Sequence, residues 1–251
     1  MTDYDVLAEV YEWLISDAKL PPADFAASFD DVLSLLPPNA HVLDCSCGTG
    51  QLAVGLAGRG IQVAATDASE AMVRRTAELS EEFGASVRAV QASWEELPDH
   101  FDDSTFDMVF CVGNSLHHAT GATGRRAALQ SMSRLLRPGG HLVLTSRTWE
   151  LVRSRGSRLD ISNHLVRRNG RDAVVIYRWE IAPHWEDEHH IEIAIAQVDA
   201  TGLVHVRSEL LPCWPYRHET LKADLHHAGL QTETTTFDPK AENYMLVASK
   251  P

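Results

Sequence analysis

The stretch "HVLDCSCGTGQLAVGLAGRG", His41 to Gly60, decides how the rest of the chain is read. A short apolar run ends in an acid, Asp44, and passes through small residues, Cys45 to Gly50, into a helical pattern over Gln51–Ala57. A strand, a glycine loop and a helix in that order bring backbone amides close to a ligand. Gly48-Thr49-Gly50-Gln51-Leu52-Ala53 fits the dinucleotide spacing G-x-G-x-x-A. Asp67, at the end of the next apolar run, stands where an acid can take both hydroxyls of a ribose.

On spacing alone a nicotinamide oxidoreductase remains open. Asp44 argues against it, because an acid inside the loop repels a pyrophosphate and suits a positively charged ligand. S-adenosylmethionine carries a sulfonium and an ammonium and no phosphate.

Working outward, β-like runs alternate with helical patterns through the first three-fifths of the chain. "IQVAATD" reads as the second strand, and "SEAMVRRTAELSEEFG" as a helix with Ser69 at its N-cap and Gly84 closing it. "SVRAVQA" and "FDMVFCVG" are the third and fourth strands. "GRRAALQSMSRLLRPGG" is expected to be a helix stopped by Pro138-Gly139-Gly140, and "HLVLTSR" is the fifth strand. This alternation predicts an α/β fold, a doubly wound Rossmann-like sheet with helices on both faces. After Arg147 the pattern changes to antiparallel hairpins with turns at Asn169-Gly170 and Thr201-Gly202. A helix, "HETLKADLHHAGL", and two closing strands, "TETTTF" and "ENYMLVASK", follow.

The 251 residues carry 35 acids against 22 Lys and Arg, a formal charge of −13. That balance argues against nucleic acid and against an anionic membrane surface, both of which favour a basic face. No apolar run approaches a membrane span. The N-terminal segment carries acids where a signal peptide carries positive charge, so it reads as mature sequence. Four scattered cysteines make no disulfide framework and fit reduced thiols in the cytoplasm. The thirteen histidines show no zinc-type spacing, and the pairs His189-His190 and His226-His227 are expected on exposed elements.

Taken together, "VLDCSCGTG", Asp67, "ASWEEL", "FDMVFCVGNSLHH" and "LLRPGGHLVLTSR" resemble the class I S-adenosylmethionine-dependent methyltransferases over nearly the whole chain. Ser46 takes the place of the first glycine of that family's loop, and Gly48 is the middle one. Within the family the resemblance is to the glycine and sarcosine N-methyltransferases. Cys111-Val112-Gly113-Asn114-Ser115 matches their stretch after the fourth strand, and Arg147-Thr148-Trp149-Glu150 stands in the place of an Arg-Asn-Tyr-Asp element.

The resemblance implies one domain with a seven-stranded sheet. It has an N-terminal helical lid (1–36), an α/β core (37–150 and 214–251) and an antiparallel insert (about 155–213). It implies S-adenosylmethionine as donor, S-adenosylhomocysteine as product and a small-molecule acceptor, such as a small amine or amino acid. Asp44, Ser46, Gly48, Asp67, Ala68 and Met72 would hold the donor, with Ser93 and Trp94 at the adenine and Tyr11, Val112 and His117 completing the site. Asn114 and His118 would face the methyl, and Arg147 would take an amino-acid carboxylate bidentately.

Each role has a plainer alternative. Asp67 could cap a helix, Trp94 could fill core, His117 and His118 could be solvated, and Arg147 could pair with Glu150 or Asp160. Tyr4 and Tyr11 could be ordinary helix packing, and Tyr177 and Trp179, on one face of a strand, could line the acceptor site or the core. Two rivals remain, the oxidoreductase and a donor-binding protein of this fold that transfers no methyl, and within the methyltransferases the alternative is O- or N-methylation of a natural-product metabolite. The sequence leaves the oligomeric state open, a homodimer included.

Overall fold

The glycine-loop unit lies at the centre of a seven-stranded sheet. In the computed structural model, which describes residues 6–162, 165–168 and 170–251, the first strand β1 (His41–Asp44) sits between β2 (Gln62–Asp67) and β4 (Phe106–Cys111). The sheet continues through β3 (Val87–Gln91) on one side. On the other lie β5 (Leu136–Arg147), β12 (Asn243–Ser249) and β11 (Gln231–Thr235), giving the order β11-β12-β5-β4-β1-β2-β3. All pairings among β1 to β5 are parallel, and β12 runs antiparallel to both neighbours.

The strand order reverses between β1 and β4. Loops leaving the C-terminal ends of these two strands diverge there and open a crevice, the usual ligand position in such sheets. Val42, Leu43, Met108, Val109 and Phe110 are fully buried, so the strands read as unbroken apolar runs because helices cover both faces.

The helices are α1 (Pro22–Ala27), α2 (Asp30–Leu33), α3 (Gln51–Ala57), α4 (Glu70–Glu82), α5 (Leu97–His100), α6 (Gly121–Leu135), α7 (Trp149–Ser154) and α8 (His218–His227). Tight 3-10 turns span Ala8–Leu14 and Ser115–His118. Ser69 caps α4 as expected, its Oγ accepting the Met72 amide at 3.3 Å. Residues 22–33, part of the expected lid segment, contribute Ala26, Phe29 and Val32 to the same apolar cluster as Val42, Leu52 and Leu56. Gly55 shows how close that contact is, since a Cβ there would stand 2.0 Å from the Pro22 carbonyl oxygen.

Two expectations need correction. The helix expected to run to Pro138 ends at Leu135, and Leu136–Gly140 extend β5 instead. Pairing overrides the Pro-Gly-Gly stop signal here. Leu136 faces Phe106 of β4, the Gly139 amide donates to the Lys250 carbonyl, and Lys250 Nζ donates to the Ser133 and Leu136 carbonyls, closing the C-terminus of α6. His189 is fully buried rather than exposed, with Nδ1 accepting the Ala182 amide and Nε2 beside Arg153, whereas His226 and His227 are exposed.

The insert is a second sheet of β10 (Val204–Cys213), β9 (His189–Val198), β8 (Arg171–Glu180) and β6 (Arg158–Ile161), with β7 (Val166–Arg168) also on β8 and every pairing antiparallel. Gly202, at φ +84°, makes the expected turn between β9 and β10. Tyr4 and Asn169 lie outside the described residues. One face of the insert packs Ile191, Ile193, Ile195 and Trp179 against Leu7, Val10 and Trp13 of the N-terminal segment and Trp149 of α7. The described cysteines are all buried free thiols, and no helix among the described residues is long and apolar enough to cross a membrane.

Candidate active site

Two cavities meet over the β1 and β4 loops. The first, of about 430 Å3, is lined among others by Ser46, Gly48, Asp67, Ala68, Met72, Ser93, Trp94 and His118. The second, of about 570 Å3, includes Asp44, Val112, Asn114, His117, Arg147 and Tyr177. Tyr11, Ser46, Gly48, Gly113 and Ser115 line both and mark the junction. The residues assigned to donor and acceptor by the resemblance therefore all line one cavity or the other, whereas Trp179 lines neither. The two histidines fall on opposite sides, His118 in the first and His117 in the second.

In the first cavity Asp67 is positioned by the backbone. Its Oδ2 accepts the Gly48 amide and its Oδ1 the Ser69 amide, each at 3.0 Å, so the carboxylate bridges the glycine loop and the start of α4. The helix cap itself is Ser69. Gly48 adopts φ +53°, and a Cβ there would lie 3.5 Å from the Tyr11 ring. Gly50, at φ +93°, meets protein rather than cavity, because a Cβ would stand 2.9 Å from Thr76 Cα of α4. Trp94 is tethered by its indole N–H to the Cys45 carbonyl at 2.8 Å. The Ser93 hydroxyl and amide both donate to Glu96, each at 2.8 Å, so its side chain closes a local turn.

Asp44 is almost completely buried at the end of β1, and its Oδ1 accepts the Ser46 amide at 3.4 Å. Burial pushes its pKa up to about 7; the Ser46 amide opposes the rise and the charge of Asp67 adds to it. Burial, with the Asp67 charge second, likewise raises the Tyr11 phenol to about 12, so it remains a hydrogen-bond donor.

The second cavity is polar at its base. Arg147, the last residue of β5, has no carboxylate within ion-pair distance among the described residues, and its Nε lacks a partner. The alternative pairings are absent, since Glu150 Oε1 accepts the His218 amide and Asp160 takes the Trp179 indole N–H and Arg158. The guanidinium instead lies over Trp179 at 5.1 Å and Tyr177 at 6.0 Å. Tyr177 lines the cavity, whereas Trp179 belongs to the buried cluster beneath it. Asn114 Oδ1 and both ring nitrogens of His117 are also buried without partners among the described residues. His118 is held by a 2.9 Å contact between Nδ1 and the Pro212 carbonyl.

Sequence reading missed Thr145, Asn243 and Tyr244, which also line the second cavity. Thr145 carried a signal: it lies two residues before Arg147 on one strand and so shares its face. Asn243 pairs with Arg147 in the register of β12 on β5, a long-range contact with no local trace. Among the described residues no three His, Cys, Asp or Glu side chains cluster as metal ligands would.

A switch-point crevice with a fixed carboxylate at β2 and a buried acid at β1 can take a nucleoside bearing positive charge. The comparisons with known proteins agree. Residues 42–140 match the family described as methyltransferase domain. That match, with the relatives and solved structures below, supports a class I S-adenosylmethionine-dependent methyltransferase. Among curated relatives it is 27% identical over 211 residues to the glycine/sarcosine N-methyltransferase of Aphanothece halophytica, covering 81% of this chain and 71% of that one. It is 31% identical over 163 residues to the glycine N-methyltransferase of Mus musculus, covering 59% of this chain and 54% of the relative, so it spans about half of that protein's length. Among solved structures, the S-adenosylmethionine-bound amino pentose methyltransferase CalS10 of Micromonospora echinaspora superposes with TM-score 0.76 at 23% identity, covering 100% of this chain and 99% of that one. The Streptomyces venezuelae protein DesVI does so with TM-score 0.77 at 20% identity over the full length of both.

Proposed function

We propose that the enzyme methylates the amine nitrogen of a small acceptor that carries a carboxylate. The observation carrying this reading is Arg147, a guanidinium facing the second cavity with no acidic partner among the described residues. Its fork matches a carboxylate through two parallel hydrogen bonds. The names of the glycine and sarcosine N-methyltransferase relatives support the same acceptor class.

In this reading the first cavity takes the adenosine half of S-adenosylmethionine, with Asp67 on the ribose hydroxyls and Trp94 and Met72 beside the base. Asp44 faces the positive charge of the methionyl half from below the loop. When bound, the donor supplies an electrophilic methyl on a sulfonium, open to in-line attack. The protein then aligns and desolvates. Asn114 Oδ1 accepts an N–H of the acceptor amine, Arg147 fixes its carboxylate, and the Tyr11 phenol sits at the junction of the two cavities. Leu14, Ile15, Ser16 and Lys19 of the segment carrying Tyr11 line the second cavity, and in this reading movement of the segment admits the ligands. The buried free thiols fit a reducing compartment such as the cytoplasm.

The test compares wild type with Arg147→Lys using glycine and methylamine as acceptors. A point charge replacing the fork is expected to raise KM for glycine about tenfold, the scale of one charge-assisted hydrogen bond, while S-adenosylhomocysteine affinity changes less. Equal turnover of methylamine and glycine, or an unchanged KM, leaves the methyltransferase and removes the carboxylate acceptor.

A further inference from the structure

His117 is the residue of the second cavity that the carboxylate-and-amine reading leaves without work. It is only 4% exposed, and neither ring nitrogen has a hydrogen-bond partner among the described residues. Its orientation comes from packing. The ring meets Trp149 edge-on at 5.0 Å and lies 4.1 Å from the His118 ring, while its carbonyl accepts the Trp214 amide at 2.7 Å. Burial, then the neighbouring His118 and Arg147, hold the imidazole neutral. The Asn114 carbonyl works weakly the other way from outside hydrogen-bond geometry.

An unpartnered polar ring in such a place is destabilising, and an apolar ring of similar size would fill the space without that penalty. The residue makes physical sense if a ligand completes it. A neutral imidazole offers one donor and one acceptor, which suits a hydroxyl, an amide or another uncharged polar group. Glycine, once held by Arg147 and Asn114, has no such group.

We propose that His117 is a specificity-determining residue that hydrogen bonds an uncharged polar group on the acceptor, so the preferred acceptor is an amino acid with a polar side chain rather than glycine or sarcosine. The inference rests on the carboxylate-bearing amine proposed above. The cavity has room for the extra group, and Thr145, Thr236 and Asn243 give it further polar surface. A site built around a hydrogen bond discriminates strongly against a ligand that lacks the matching group, because its own buried polar atom is then left bare.

The experiment measures kcat/KM of the full-length enzyme with S-adenosylmethionine for glycine and for three shape-matched pairs: 2-aminobutyrate and serine, valine and threonine, leucine and asparagine. In at least one pair the polar member is expected to exceed its apolar twin by about tenfold or more and to exceed glycine. His117→Phe should reduce that preference to less than about threefold, and His117→Gln, which keeps a donor and an acceptor, should retain part of it. Glycine as best substrate, no polar preference in any pair, or a preference that survives in His117→Phe overturns the assignment. A rise in glycine KM in His117→Phe equal to that in Arg147→Lys also overturns it, by making His117 a second carboxylate ligand. Methylation of none of the seven compounds overturns the carboxylate-amine reading itself, which separates the two failures. Should His117→Phe not melt cooperatively, the wild-type pairs alone decide.

Discussion

Under the proposed reading, in which Asp44 faces the donor, that carboxyl carries a measurable proton. Its pKa of about 7 in the ligand-free protein comes chiefly from burial. A ligand bringing positive charge into the second cavity favours the ionised form and drives the pKa down. The bound state then holds fewer protons, so binding releases a proton where the free protein still carries one. For a group titrating near 7 the release is ~0.9 proton at pH 6, ~0.5 at pH 7 and ~0.1 at pH 8. Donor affinity should accordingly rise about tenfold from pH 6 to pH 8, or ~1.4 kcal/mol. Calorimetry with S-adenosylmethionine in two buffers of different ionisation enthalpy reads the proton directly. Stability runs in the opposite direction. The folded pKa is raised above that of the unfolded chain, so the contribution of Asp44 is fully present below about pH 4 and is lost as pH rises through about 7. Across that window the loss is roughly 4 kcal/mol. Asp44→Asn, which keeps an oxygen for the Ser46 amide, should raise Tm at pH 8 while abolishing the proton release and weakening donor binding. Proton release that persists in Asp44→Asn, or a lower Tm at pH 8, would refute the assignment of this proton to Asp44.

Three further outcomes follow from the packing and the first cavity. Asp67→Ala should weaken S-adenosylhomocysteine binding by about 1.5–3 kcal/mol in calorimetry, the range for hydrogen bonds to a charged group; an unchanged Kd places the ribose elsewhere. Gly55→Ala should destabilise by on the order of 3 kcal/mol in urea unfolding, because overpacking against the Pro22 backbone outweighs a helix-propensity gain of about 1 kcal/mol. A stabilised variant would mean that α1 does not dock on α3 in solution. Lys250→Met should cost about 1 kcal/mol by removing the ammonium that closes α6, read as a shift in urea midpoint without a change in its slope.

The elements legible in the sequence were those whose burial leaves a local signature. β1 and β4 carry unbroken buried apolar stretches, Val42-Leu43 and Met108–Phe110, because both sheet faces are covered there, and the observed β1, β2, β3 and β4 lie within the quoted runs. Gln51–Ala57 begins and ends where the pattern places it, because the glycine loop fixes its start. The short helices α1, α2, α5 and α7, of four to six residues, left no such trace. Helices of one or two turns are stable only through tertiary packing. Pro138-Gly139-Gly140 reads as a stop, but pairing to Lys250 carries it into a strand. Asp67 and Gly48 could be linked in advance because consecutive β-loop-α units set them side by side. The neighbours of Arg147 could not, since Asn243 reaches it through the pairing of β12 on β5 and Tyr177 comes from the separate insert sheet.

That difference has a chemical consequence. The first cavity is held by backbone geometry: amides orient Asp67, a positive φ shapes Gly48, and a carbonyl tethers Trp94. Changing its ligand would require changing the loop, and Gly50 cannot change without disturbing α4. The second cavity draws its side chains from β1, β5, β8, β9 and β12, from the loop after β4 and from the N-terminal segment, and Asn114 Oδ1, both His117 ring nitrogens and Arg147 Nε in it have no partner among the described residues. Side chains that make no structural hydrogen bonds can be replaced with little effect on the fold, and each replacement alters which polar group of a ligand is satisfied. Substitutions at His117 and Tyr177 that keep a ring should therefore move acceptor preference at small expense to Tm, whereas substitutions at Gly50 and Gly55 should lower Tm before they reach selectivity. A Tm loss at His117 as large as that at Gly55 would show that its packing on Trp149, rather than a ligand, accounts for the residue.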